Sequence, residues 1–206
     1  MIPRRAVLAA ALAATLLGVP WPVVAGGAAR PPIPALPLSI AVAEVDGQPV
    51  RDEAWIDAQV AEAARLFGGL GVPLRKDGAR ALDARYARLE TREDRDALAA
   101  ELQAKKINVL IVESLRDVDD PSLYRMGVHW RNRNAPGKHY VIVAASARPT
   151  MLAHEIGHYF GLGHSPVADN VMSYTRTGAE VFLDGAQATR IRSFARMYLG
   201  AKLLAP

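Results

Sequence analysis

The sequence contains no cysteine among its 206 residues. Structural disulfides are therefore excluded, and so is lipid attachment to a cysteine at the end of a leader. Stability has to come from a packed core. The roughly 180 residues that remain once a leader is removed are enough for one domain with such a core.

The chain also lacks an apolar run long enough to span a membrane. The run at residues 6–19 is shorter than the roughly 20 residues that a membrane-spanning helix needs, and prolines follow it. A short positive head precedes it, and small residues at 23–25 offer a cleavage site. We therefore expect residues 1–25 to be a signal peptide for the general secretory route, because the paired arginines fit a twin-arginine signal poorly. The alternative is an uncleaved membrane anchor. Cleavage predicts a secreted or periplasmic protein with no membrane association.

A block of like charge is missing as well. Lysine and arginine number 25 against 21 aspartate and glutamate residues, and both signs are spread along the chain. Arg4 and Arg5 leave with the leader and no acid does, so the formal net charge falls from +4 to +2. Nucleic-acid binding therefore has no support, and we expect a monomer. Residues 26–37 are rich in proline, which predicts an extended tether ahead of one domain at 38–206.

The most informative stretch is residues 150–165, which reads TMLAHEIGHYFGLGHS. His154 and His158 are four residues apart on a predicted helix, so both imidazoles project from one face and can bind one metal ion. Gly161 can end that helix in the left-handed conformation and turn the chain so that His164 reaches the same ion. Apolar residues on the opposite side of the helix would hold it in the core: Leu152, Ile156, Tyr159 and Phe160.

Three imidazoles and one acid in this pattern indicate metal-assisted hydrolysis. Neutral imidazoles leave a zinc ion its full charge and a fourth position for water, whose pKa falls to about 7. Glu155 follows the first ligand, where its carboxylate can act as the general base that takes the proton of the attacking water. The pattern therefore indicates a hydrolytic zinc site with His154, His158 and His164 as ligands.

The stretch HEIGHYFGLGH at residues 154–164 matches the zinc signature HExxHxxGxxH of the metzincin metalloproteases at every fixed position. Met172 follows His164 by eight residues in the segment NVMSY and fits the methionine turn of that family. The chain thus resembles metzincins. The resemblance implies an α+β, zincin-like catalytic domain, with a twisted mixed sheet, backing helices and an active-site helix. An upper subdomain at 38–164 would precede a small lower subdomain at 165–206, which contains the methionine turn and a helix.

The resemblance also suggests roles for residues around the zinc. Met172 would form an apolar floor beneath the imidazoles, which differs little from ordinary core packing. The order Met-x-Tyr is similar to astacins, serralysins and pappalysins, and implies that Tyr174 helps to stabilise the oxyanion. Ser165 after the third histidine resembles matrixins instead, so the subfamily stays open.

A strand predicted at residues 125–131 corresponds to the lower sheet edge of metzincins, above the cleft. The resemblance implies that Gly127, Val128 and His129 bind an extended peptide substrate through backbone hydrogen bonds. A purely structural edge strand is the alternative. His129 and His139 lack metal-ligand spacing, and we interpret them as surface or strand residues.

Periodicity and capping signals predict the remaining elements. Residues 79–89 receive no assignment. The predicted strands are 38–45, 72–74, 107–112, 125–131 and 139–144. The predicted helices outside the zinc motif run from Asp52 to about 67, from Thr91 through 105, and from Asp184 to about 199.

Together these features predict a secreted zinc-dependent endopeptidase that hydrolyses peptide bonds with a zinc-activated water and a glutamate base. Two alternatives from other classes stay open. The first is a secreted zinc-binding module without peptidase activity, although no fourth protein ligand is evident for a closed structural site. The second is a zinc amidohydrolase that acts on a non-peptide substrate.

Overall fold

The computed structural model of the protein describes residues 30–133, 135 and 137–206. The predicted signal peptide and the first part of the tether lie outside these residues. The domain spans Pro32–Pro206. Its first strand begins at Leu36, two residues inside the segment predicted as a tether, and Ile33 is already buried.

A mixed sheet forms the centre of the domain. Its strands are β1 (Leu36–Val45), β2 (Gln48–Pro49), β3 (Leu74–Leu82), β5 (Ile107–Val112), β7 (Gly127–Arg131) and β8 (His139–Ala144). Two short strands, β4 (Arg88–Leu89) and β6 (Ser114–Leu115), pair separately. The helices are α1 (Glu53–Gly69), α2 (Arg92–Ala97), α3 (Met151–Tyr159) and α4 (Gly185–Gly200).

The sheet order places β7 at one edge. β1 pairs in parallel with β3 and β5, and β5 pairs in parallel with β8. β7 runs antiparallel to β8, and within the described residues no further strand pairs with it. One apolar cluster joins one face of the sheet to α1, α3 and α4, and we call this the lower face. A second apolar cluster covers the opposite, upper face. All six residues of β5 are buried because both faces of this strand are covered.

Local capping chemistry fixes the starts of three helices as predicted, and the start of α2 is fixed by a capping box between Thr91 and Asp94. The Asp52 side chain accepts a hydrogen bond from the backbone N–H of Trp55 at the start of α1. Asp184 and Gln187 form a reciprocal capping box at the start of α4. Each cap satisfies backbone donors that the first helical turn leaves unpaired.

Three further predicted boundaries are wrong. The second strand is not 72–74 but β3: Val72 still belongs to the turn that ends α1, because its N–H bonds to the Phe67 carbonyl. The helix predicted through 105 ends at Ala97, and a 3₁₀ turn and a loop follow, in which Lys105 has a φ of 62°. The strand predicted from 125 begins at Gly127.

The structure contains no helix in its described part that is long and apolar enough to cross a membrane.

Candidate active site

The turn that ends α3 brings the third histidine toward the first two. Gly161 has a φ of 79°, and its N–H bonds to the His158 carbonyl while that of Leu162 bonds to the Gly157 carbonyl. These two bonds form a Schellman motif, which favours glycine because its left-handed conformation is strained for other residues. A Cβ on Gly161 would also lie 2.7 Å from the ring of Phe194. The position therefore requires glycine for two reasons.

The imidazoles of His154, His158 and His164 converge. His158 Nε2 lies 3.1 Å from His154 Nε2 and 3.2 Å from His164 Nε2. His154 Nδ1 donates to the Val171 carbonyl at 2.8 Å, and His158 Nδ1 donates to the Leu162 carbonyl at 2.8 Å. The proton of each neutral ring is therefore on Nδ1, and both Nε2 atoms present lone pairs.

Two facing lone pairs cannot form a hydrogen bond, so a shared cation is the natural explanation for their close approach. Tetrahedral zinc with bonds of 2.0–2.1 Å to nitrogen would hold its ligand nitrogens about 3.3 Å apart, near the distances found here. Burial lowers the pKa of His154 to about 4 and also lowers the pKa of His158, which keeps both rings neutral as ligands. The three residues present fit a zinc ion, and their ligand atoms lie within 4.8 Å of one another.

Glu155 is buried between α3 and the edge strand β7. Its side chain is only slightly exposed, and burial raises its pKa to about 8, partly offset by a hydrogen bond from the His129 backbone N–H. A Cβ on Gly127 would lie 2.8 Å from Glu155 Cγ and 2.9 Å from Met151 Cγ. A dication at the triad would lower the pKa of this carboxyl group, because an opposite charge nearby favours the ionised form.

Met172 lies beneath α3 and is fully buried. Its sulfur occupies the space where a Cβ on Gly157 would lie, so the close approach of the methionine and the helix requires glycine there. The Met172 carbonyl accepts a hydrogen bond from the N–H of Ser165, directly after the third histidine. The segment with Met172 is thus tied to the segment with His164.

Arg176 organises the same segment, and sequence reasoning missed it. Its guanidinium donates to the carbonyls of Asn170 at 3.0 Å, Ser173 at 2.7 Å and Val171 at 3.2 Å. The Val171 carbonyl is the one that accepts the Nδ1 proton of His154. Nothing in the spacing of Arg176 from the histidines signals this contact, because it depends on the path of the turn.

Tyr174 lies beside the triad, as its predicted role requires. Its hydroxyl oxygen is 2.8 Å from His164 Nε2, and the residue is 72% exposed. An exposed phenol has room to move toward a bound substrate.

A cleft of about 830 Å³ runs along β7 past the triad. The three predicted substrate-binding residues line it: Gly127, Val128 and His129. Gly127 and His129 also contact Glu155, so they help to place the acid as well as to form the groove edge.

His129 and His139 form an aromatic group with Tyr159 of α3. His129 Nε2 lies 2.9 Å from His139 Nδ1, and His139 stacks on Tyr159 with ring centroids 4.2 Å apart. Both are half-buried strand residues, His129 in β7 and His139 in β8, in agreement with their interpretation as surface or strand residues. The antiparallel register of β7 and β8, which pairs Arg131 with His139, brings them together.

Solved structures that match the chain include a metalloproteinase and an archaemetzincin, and the predicted metzincin-type α+β fold is confirmed. No protein-family model and no curated protein sequence matches the chain.

Three solved structures serve as examples. Tannerella forsythia mature mirolysin in complex with a cleaved peptide matches with a TM-score of 0.58 and 13% identity over 84% of this chain and 98% of that one. Metalloproteinase-II from Bacteroides fragilis matches with a TM-score of 0.53 and 20% identity over 78% of this chain and 53% of that one. Archaemetzincin from Methanopyrus kandleri matches with a TM-score of 0.53 and 16% identity over 79% of this chain and 96% of that one. At these identities the likeness establishes the fold.

Proposed function

We propose that the chain is a secreted zinc-dependent endopeptidase. The observation that carries this proposal is the convergence of three imidazole nitrogens beside the buried Glu155, in a cleft bounded by an unpaired strand edge. His154, His158 and His164 would hold the zinc. When bound, zinc would polarise a substrate carbonyl group and lower the pKa of a water molecule.

The residues of the chain would supply the proton transfers. Glu155 accepts a proton from the attacking water at its carboxylate and then delivers it to the nitrogen of the departing amine. The Tyr174 hydroxyl donates a hydrogen bond to the oxyanion that develops from the carbonyl oxygen. Gly127 and His129 keep the Glu155 carboxyl in place.

The edge of β7 supports a peptide substrate. Its backbone groups border the cleft, and an extended peptide can add to a free sheet edge by main-chain hydrogen bonds. A matching structure, mirolysin, was solved with a cleaved peptide. These points favour a peptide over a small non-peptide amide.

A structural zinc module is the second candidate, and the ligand set argues against it. Structural zinc sites normally have four protein ligands. In the described part of the chain, the candidate metal cluster of histidine and acidic side chains contains three residues. The fourth position would therefore be available to water or substrate.

The test is cleavage of a peptide library by the purified protein, with and without a chelator, followed by restoration with zinc. We expect one zinc per chain and cleavage that the chelator abolishes and zinc restores. The Glu155→Gln variant should keep its zinc and lose cleavage by several orders of magnitude, because it lacks the proton acceptor. Bound zinc without cleavage of any peptide would favour the zinc module, and cleavage of small amides alone would favour the amidohydrolase.

Export is tested separately. Expression of the full chain in a secretion-competent bacterium, followed by N-terminal sequencing, should find a mature protein that begins near residue 26. An uncleaved, membrane-associated chain would contradict the proposed secretion.

A further inference from the structure

Arginine side chains dominate the charge of the cleft. The arginines that line it are Arg92, Arg95, Arg125, Arg131, Arg148 and Arg176. The acids that line it are Asp117, Asp119 and Glu155. The cleft thus carries three more positive than negative formal charges, so its own residues attract anionic groups.

Three of these arginines, Arg92, Arg95 and Arg125, form what we call the arginine cluster. The guanidinium groups of Arg95 and Arg92 lie 4.8 and 6.0 Å from the ring centre of Trp130, whose indole N–H donates to Asp96 at 2.8 Å. The hydrogen bond fixes the indole, and the indole supports both cations through cation–π contacts. The cluster is therefore a held arrangement rather than a set of mobile surface side chains.

The acids around the cluster already form ion pairs with two of its members, Arg92 and Arg125. Arg92 forms an ion pair with Asp119, and Arg125 forms one with Asp117. Asp117 also accepts the backbone N–H groups of Asp119 and Asp120. Arg95 has no ion-pair partner within the residues that the structure describes.

Arg95 is nevertheless the most buried member, with only 3% of its surface exposed. One terminal nitrogen donates to the Arg116 carbonyl, while its Nε has no hydrogen-bond partner in the described structure. Buried charges in proteins are normally paired, since an unpaired one loses its hydration without compensation. Burial accordingly lowers the pKa of Arg95, and the nearby Arg92 and Arg125 charges lower it further, while the charges of Asp117 and Asp119 offset part of this decrease. The three arginines of the cluster therefore carry one more charge than Asp117 and Asp119 balance.

We propose that the arginine cluster is a substrate subsite that binds a carboxylate side chain of the peptide. This inference rests on the proposed peptidase function. Guanidinium groups bind carboxylates with paired, charge-assisted hydrogen bonds, and a partly desolvated cleft strengthens them. The cluster and the histidine triad line the same cleft, so a single extended peptide reaches both. Preferred substrates carry aspartate or glutamate at a fixed distance from the cleaved bond.

The test measures peptide binding rather than turnover. Zinc-loaded Glu155→Gln protein is titrated with decapeptides blocked at both ends, in pairs that differ only by aspartate or asparagine at one scanned position. We expect the aspartate peptide to bind about tenfold tighter or more at one position, and the preference to shrink in high salt. A neutral peptide with a free C-terminal carboxylate is the third arm. If it gains as much affinity as the best aspartate peptide, the cluster binds a chain end and the side-chain subsite is overturned.

Substitutions in the Glu155→Gln background connect the preference to the cluster. Adding Arg92→Gln or Arg95→Met should bring the aspartate-to-asparagine affinity ratio close to one. Of these two residues, Arg92 is partly exposed and Arg95 is buried, so the Arg92 substitution puts folding at less risk. Adding Arg88→Gln is the matched control, because Arg88 is an exposed arginine paired with Glu113 and does not line the cleft. The Arg88→Gln protein should keep the preference for the aspartate peptide.

The outcomes separate the two proposals. Cleavage of neutral peptides by the unmodified protein, with no aspartate preference at any position, would overturn the subsite and leave the peptidase intact. An aspartate preference that survives both cluster substitutions would also overturn it. If no peptide is bound or cleaved, both proposals fall.

Discussion

Glu155 is held between the helix that carries it and an edge strand that comes earlier in the sequence. α3 carries it, and β7 covers it with a glycine and a backbone donor: Gly127 leaves room for the side chain, and the His129 N–H binds the carboxylate. A general base works only within hydrogen-bond reach of its proton. Gly127 therefore matters for where the carboxyl group points.

We predict that Gly127→Ala lowers kcat about 100-fold, the loss expected from a displacement of about 1 Å at a catalytic group. The new Cβ would lie 2.9 Å from Glu155 Oε1, and both side chains would have to shift. Steady-state kinetics, with zinc content measured in parallel, checks this. Gly68→Ala is the control, because a Cβ there meets nothing within 4 Å. An unchanged kcat in the Gly127 variant would mean that Glu155 tolerates movement.

A second prediction at this scale concerns Arg176. Arg176→Met keeps the aliphatic stem and removes the donors that hold the Val171 carbonyl against His154. We expect zinc affinity to fall about 10- to 100-fold, as happens when partners of metal-bound histidines are removed. Competition with a chromophoric chelator measures the dissociation constant. Arg190→Met, an exposed arginine over the Phe194 ring, is the control and should bind zinc normally. Equal affinities in both variants would contradict the role of Arg176.

At the scale of elements, sequence patterns predicted what local chemistry determines. β5, which is apolar except for Asn108, and the capped start of α1 follow from their own residues, and so does the turn at Gly161. β3 was placed wrongly because its middle is polar and includes Gly78, and it becomes a strand through its ladder with β1. Tertiary pairing of this kind leaves no periodic signal in the sequence.

The candidate site divides in the same way. The zinc ligands and Glu155 lie close together in sequence, so their spacing predicted one metal centre. The contacts of Arg176, and the fit of Gly127 against Glu155, depend on how a turn and a strand pack onto α3. No local pattern encodes that packing, and only the assembled fold reveals these contacts.

The carboxylate of Asp117 holds the loop ahead of β7 in place. This carboxylate accepts two backbone N–H groups and pairs with Arg125, and these contacts lower its pKa from the usual 3.8 to about 2. A lowered pKa in the folded state means stability that is present above pH 3.8 and is lost as the pH falls toward 2.

We therefore expect Asp117→Asn to unfold more easily than the unmodified protein near neutral pH, and the difference to shrink between about pH 4 and pH 2. Urea denaturation at a series of pH values measures it. A difference that stays constant down to pH 2 would show that the ionised carboxylate is not what holds this loop.

At the scale of the whole molecule, a zinc ion held by the proposed ligands would connect α3 to the segment that follows it. His154 and His158 come from α3, which is packed under the sheet, whereas His164 is exposed and comes from the chain that follows. A ligand that binds only the folded state stabilises it by about 2.7 kcal/mol at a free concentration 100 times its dissociation constant. Zinc should therefore act on global unfolding and not on the cleft alone.

For a domain of this size, that free energy corresponds to a rise in Tm of about 5–10 °C. We predict this rise when the chelated protein is titrated with zinc, with Tm increasing further as free zinc increases. His164→Ala should remove most of the dependence, while its metal-free Tm stays close to that of the unmodified protein, because an exposed side chain contributes little to the core. Differential scanning calorimetry at several free zinc concentrations measures both quantities. His164 is one of the three proposed ligands, so an equal zinc-induced rise in the His164 variant would place the stabilising ion elsewhere and remove the structural basis of the proposed hydrolase.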